Sequence, residues 1–120
     1  MALRAVRGAV QLDVDEREHL LASTRELVTA VVEANDLDVD DLVSIVFTCT
    51  PDLHSEFPAV AARELGMGDV PLMCSVEVDV AGAMPRVVRL MALVQTEASR
   101  AQVQHVYLRG AAALRRDIAQ

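Results

Sequence analysis

LVSIVFT, residues 42–48, is the stretch on which the fold turns. Apart from Ser44 and Thr48 it is apolar, and β-branched Val43, Ile45 and Val46 sit at its centre. A short apolar run of this kind reads as a buried central strand, and Pro51 ends it. Downstream, residues 56–65 read as a short helix stopped by Gly66, with Gly68 as a further turn signal. Residues 71–78 form a strand, 79–85 a connection of small residues, and 87–95 a second strongly apolar strand. A brief helical turn over 99–102 then leads to a final strand over 105–114. Upstream, residues 3–12 suit a first strand. Asp15 caps the helix that follows, with Glu18 three residues on. Leu20, Leu21, Leu27, Val28, Val31 and Val32 recur at helical spacing, so this helix runs to about Asn35, a residue that tolerates the left-handed conformation ending many helices. The order β-α-β-α-β-β-β gives an α/β (α+β) layer, a mixed sheet backed by one long helix. No linker or repeat divides the 120 residues, which are read as a single domain, 1–120.

The chain is 52% hydrophobic with a net charge of −7. That balance excludes disorder and gives no basic surface for nucleic acid or an anionic membrane. With a positive mean hydropathy, it also implies apolar surface covered by a partner subunit. All 11 basic residues are arginine, the side chain that grips carboxylates bidentately as lysine cannot. Cys49 and Cys74 lack the spacing of a zinc site, and His19, His54 and His105 suggest no metal cluster. No signal peptide or membrane span is evident, so the expected location is cytoplasmic. There is neither a GxSxG elbow nor a glycine-rich phosphate loop, which leaves nucleophilic hydrolysis and nucleotide chemistry unsupported.

Strand parity carries the sharpest functional signal, because side chains two apart share a face. Arg7 shares its face with Leu3, Ala5 and Ala9. Arg89 lies between Val87 and Met91, with Leu93 next along, and the opposite face is Val88, Leu90, Ala92 and Val94. A guanidinium in apolar surroundings needs an anion. Pattern alone leaves open whether that anion is an internal carboxylate such as Glu77 or a ligand held by charge-assisted hydrogen bonds. Tyr107 shares a face with His105 and Arg109 in the last strand.

Beyond these patterns, RAVRGA (4–9), TPDLHSEFPA (50–59), ARELG (62–66), CSVEVD (74–79), VRLMALVQT (88–96) and HVYLRGAAALR (105–115) resemble, in order and over nearly the whole chain, the small monofunctional chorismate mutases. The resemblance implies a homotrimeric pseudo-α/β-barrel with sites between adjacent subunits. It implies a Claisen rearrangement of chorismate to prephenate, on the shikimate route to phenylalanine and tyrosine, with no cofactor or metal. It further implies that Arg89 donates to the ether oxygen, that Arg7 and Tyr107 bind substrate carboxylate, and that Glu77 accepts from the substrate hydroxyl, with Cys74 close by. Phe57 and Leu114 become apolar walls, Arg63 and Arg115 lie near the mouth, and Ala59 and Met73 complete the substrate contacts. Val60 stands where the resemblance leads one to expect a basic residue, so a peripheral charge contact is missing. Two alternatives remain at this level: a non-catalytic trimer that binds a small carboxylate, and an imine deaminase of the Rid type.

Overall fold

The computed structural model describes residues 1–114. Its elements are β1 (Ala2–Gln11), α1 (Arg17–Ala34), β2 (Leu42–Cys49), α2 (Ala59–Glu64), β3 (Leu72–Val76), β4 (Val87–Thr96) and β5 (Val106–Leu108). Short 3-10 turns occupy Val39–Asp41 and Arg109–Ala113. The strands form one mixed sheet in the order β3-β2-β4-β1-β5. β4 runs antiparallel to both β1 and β2, while the edge strands β3 and β5 pair in parallel. The run read as a central strand, β2, lies inside the sheet, as does the strongly apolar β4. Their β-branched residues suit a pleated surface that is covered on at least one face.

α1 packs against the face carrying Val6, Val10, Ile45, Phe47, Val88, Leu90, Ala92 and Val94, all buried with Leu20, Leu21, Leu27, Val28 and Val31 of the helix. Burying each large side chain of this kind contributes about 1.5–3 kcal/mol. At Gly8 the two elements nearly touch: an added Cβ would lie 3.1 Å from Leu27 Cδ1 and 3.2 Å from Val31 Cγ2. Among the described residues the opposite face of the sheet carries no α-helix. Leu3, Val46 and Met91 are exposed there, while its end at Ala9 and Val87 is covered by Ala111 of the second 3-10 turn.

The helix boundaries follow from local chemistry, with two corrections. α1 is capped by Glu16, whose carboxylate accepts from Glu18 N and His19 N, whereas Asp15 turns to a different task described below. At its other end Asn35 is the cap residue, but Asp36 takes the left-handed conformation (φ 52°). Asp36 N donates to Glu33 O and Leu37 N to Val32 O, a double closure of the last turn. α2 starts at Ala59, after Pro58 at its cap, and not at Glu56. Gly66 (φ 88°) ends it as expected, with Gly66 N donating to Arg63 O and Met67 N to Ala62 O.

The final strand is the largest departure from expectation. Pairing with β1 stops at Val10↔Leu108, Arg109 takes φ 56°, and residues 109–113 curl into the 3-10 turn. Glycine and alanine at 110–113 offer no branched or aromatic surface to hold an edge strand. Arg109 reaches α1 instead, donating to Ser23 Oγ at 2.8 Å and pairing with Glu26 at 3.2 Å.

Candidate active site

Arg89 sits mid-strand on the open face of the sheet, opposite Ala9 of β1 on one side and Thr48 of β2 on the other. Arg7 lies one step along the same face, opposite Met91. With Tyr107 of β5 they line a cleft of about 500 Å³ whose remaining walls include Ala5, Ser44, Val46, Thr48, Met91 and Leu93. That volume suits a small organic ligand, and largely apolar walls with a few charged groups are the usual make-up of such a site. The Arg89 side chain is 39% exposed, less enclosed than its apolar strand neighbours suggest, because among the described residues only the Ala9–Val87 end of this face is covered.

The carboxylate considered as an internal partner is present. Glu77, just past β3, accepts from Arg89 Nε at 3.0 Å and from the Thr48 hydroxyl at 2.6 Å, both on the same oxygen, Oε2. Its backbone is fixed as well, since Glu77 N donates to Cys49 O. The carboxylate engages only one edge of the guanidinium: the Arg89 Nη groups have no hydrogen-bond partner among the described residues, and neither have the Arg7 guanidinium and the Tyr107 hydroxyl. Three donor groups therefore stand uncommitted around one cleft in a chain of net charge −7. The arrangement offers two guanidinium groups and a phenol to an anionic ligand.

Arg89 and Glu77 also border a second cleft of about 460 Å³, roofed by the loop over residues 78–85. Both ends of that loop are tied to the strands. The Thr50 hydroxyl accepts from Val87 N at 3.0 Å and donates to Asp52 Oδ1 at 2.6 Å. Asp52 accepts from Arg86 N, and Arg86 Nε donates to Leu12 O at 2.9 Å.

The remaining residues singled out from sequence lie elsewhere in the chain. Phe57 is 67% exposed and lines a separate cleft with Cys74, Ser75 and Val76. The β2–β3 register pairs Cys74 with Phe47, which places it on the helix-covered side, and pairs exposed Met73 with Val46 on the open side. Ala59 is buried at the start of α2, and Arg63 is exposed near its end. Leu114 packs with Tyr107 and Met84 against Ala9, Val87 and Ala111. Arg115 lies outside the described residues.

The loop bearing Phe57 is stapled to the start of α1. Asp15 accepts from His54 N at 2.9 Å and Ser55 N at 3.1 Å. Burial opposes the Asp15 charge, but hydrogen bonding from Ser55 and His54 prevails and holds its pKa below the ordinary value of 3.8. The buried Ser55 hydroxyl itself meets no strict hydrogen-bond geometry, so the two backbone donors carry the contact. Glu56 accepts from Phe57 N and from Arg17 Nε, and these bonds, the Phe57 one foremost, lower its pKa as well. Burial, reinforced by Cys74, Glu77 and Asp15, pushes the Cys49 thiol up to about 12. Cys49 is thus a packed thiol at neutral pH and no nucleophile. Among the described residues no three His, Cys, Asp or Glu side chains gather as a metal site.

Thr48 escaped the sequence reading, although the signal was there. Ser44 and Thr48 are the polar residues of LVSIVFT, and both fall on the face of Val46, the open one.

An exposed sheet face that carries arginines with uncommitted donors can hold and polarise an anionic ligand. The family model for chorismate mutase type I matches residues 3–118. Chorismate mutase AroH of Thermus thermophilus is 44% identical over 117 residues, covering 97% of this chain and 96% of that protein. Chorismate mutase AroH of Bacillus subtilis is 40% identical over 119 residues, covering 98% and 94%. The solved structure of a chorismate mutase from Clostridium thermocellum superposes with a TM-score of 0.90 at 39% identity, covering 91% of this chain and 97% of that one. The chain belongs to the type I chorismate mutase family.

Proposed function

We propose that this chorismate mutase converts chorismate to prephenate in the cleft of Arg7, Arg89 and Tyr107, with Arg89 as the principal catalytic residue. The rearrangement breaks the ether C–O bond and forms a C–C bond within one molecule, so no group is transferred to the protein. What the protein contributes is a compact substrate conformer and stabilisation of the charge that develops on the ether oxygen. The uncommitted Nη groups of Arg89 carry the reading. Glu77 holds the guanidinium from its Nε edge and leaves the other nitrogens to meet that oxygen. Arg7 and Tyr107 bind a carboxylate in ground and transition states alike, and so act on affinity more than on turnover. The free oxygen of Glu77 accepts from the substrate hydroxyl.

The divided placement of the other residues supports a site shared between subunits. Phe57 and Arg63 are exposed away from Arg89 in the single chain. The bare apolar face around Leu3, Val46 and Met91 offers a surface for assembly. In a homotrimer the cleft of one subunit meets the Phe57–Arg63 edge of the next, with Ala59, Met73, Cys74 and Leu114 lining its periphery. Two free thiols agree with a cytoplasmic setting.

The decisive experiment is chorismate turnover by wild type and Arg89→Ala. One preorganised donor to a developing oxyanion contributes about 2.7–4 kcal/mol, and a cation in a covered site more. The expected result is prephenate formation by wild type and a fall in kcat of at least about 10³ in the variant, with unchanged thermal stability. Near-normal turnover by Arg89→Ala would refute the mechanism.

A further inference from the structure

The short contact between the Thr48 hydroxyl and Glu77 lies beside Arg89 in the wall of the cleft. A carboxylate beside a guanidinium takes the two-pronged form when free to rotate, with both oxygens on two parallel N–H groups. Such a fork would occupy Arg89 Nη as well as Nε, and would consume Glu77 Oε1. Here the fork does not form. Arg89 Nε at 3.0 Å and the Thr48 hydroxyl at 2.6 Å both donate to Oε2. Thr48 is the direct cross-strand neighbour of Arg89 on β2, so its hydroxyl is held by the sheet itself. The backbone bond from Glu77 N to Cys49 O fixes the root of the side chain on the same strand. One oxygen is thus held from two sides, and the carboxylate has no freedom to swing its second oxygen onto the guanidinium.

We propose that Thr48 is a positioning residue of the rearrangement: its hydroxyl pins Glu77 Oε2 and so keeps Arg89 Nη and Glu77 Oε1 available to substrate. The inference rests on the roles given above to Arg89 and Glu77. Thr48 touches no reacting atom and acts through Glu77 alone.

The test compares Thr48→Val, which keeps the shape and removes the hydroxyl, with Thr48→Ser, which keeps the hydroxyl. Loss of one charge-assisted hydrogen bond predicts a fall in kcat of about tenfold for Thr48→Val, with a smaller change in KM and an unchanged melting temperature. Thr48→Ser retains kcat to within about twofold. In a Glu77→Ala background, Thr48→Val has no additional effect, because its only route to the site is gone. Full turnover by Thr48→Val, equal impairment of Thr48→Ser, or an additive loss in the double variant would each overturn the proposal. Should wild type fail to turn over chorismate, the reaction assignment falls on its own. A crystal structure of Thr48→Val then still decides the inference: a forked Arg89–Glu77 pair upholds it, and a retained single Nε–Oε2 contact defeats it.

Discussion

The two faces of the sheet are built from the same strands and the same alternation, and they meet different fates. On one, Phe47, Leu90, Ala92 and Val94 lie under α1 and are almost inaccessible to water. On the other, Val46, Met91 and Leu93 are just as apolar but carry Arg7, Arg89 and Thr48 among them, and among the described residues no helix lies over them. A one-sided antiparallel sheet ordinarily presents polar residues to solvent. An apolar second face interrupted by a few charged side chains therefore suits two tasks at once, the association and the recognition proposed for it. The first face sets whether the chain folds, and the second what the folded chain does.

The contrast can be broken first where it is strongest. Phe47→Ala, on the helix-covered face, should cost about 3–5 kcal/mol of stability, read as a drop in the denaturation midpoint in urea. A variant of undiminished stability would mean that α1 does not seal this face. Next, Met91→Asp places a charge on the open face, where the side chain is 50% exposed in the single chain. If this face joins the proposed homotrimer, sedimentation should show dissociation toward the 13.0 kDa chain, with chorismate turnover lost and far-ultraviolet circular dichroism unchanged. A variant that still sediments as a trimer would place the interface elsewhere.

The smallest effect belongs to Asp15, whose lowered pKa gives a defined pH signature. Its charged form is favoured in the folded state, so its contribution is fully present above the ordinary value of 3.8 and disappears as pH falls through the lower folded value. Asp15→Asn should therefore be slightly less stable than wild type at neutral pH. The gap should close as acid is added below pH 3.8, measured by melting temperature. A gap constant with pH would show that the charge on Asp15 does not matter to the loop.

Much of this was legible in the sequence where physics acts locally. Residues 87–95 showed from parity alone that Arg89 shares a face with Met91 and Leu93, and Gly66 announced the end of α2. What lies between elements was less legible. The resemblance implies Cys74 near Glu77 at the site, but its face within the sheet is set by the register of its strand. That register sets Cys74 beside Phe47. The strand expected over 105–114 failed because nothing beyond Leu108 could hold an edge against β1. The choice between an internal and an external partner for Arg89 had no single answer, since Glu77 engages one edge and leaves the rest free. The polarity and face of Thr48 were readable in LVSIVFT, but its bond to Glu77 depends on a neighbour across the sheet.

The anchoring of residues 78–85 has a consequence for how such a chain varies over evolutionary time. With Glu77 N bound to Cys49 O at one end, and Thr50 and Asp52 holding Val87 and Arg86 at the other, the loop's length is decoupled from the spacing of Glu77 and Arg89. Doubling a loop costs only about 0.6 kcal/mol of closure entropy. This roof is therefore the part of the enzyme that lineages can lengthen, shorten or redecorate while the charges beneath it keep their places.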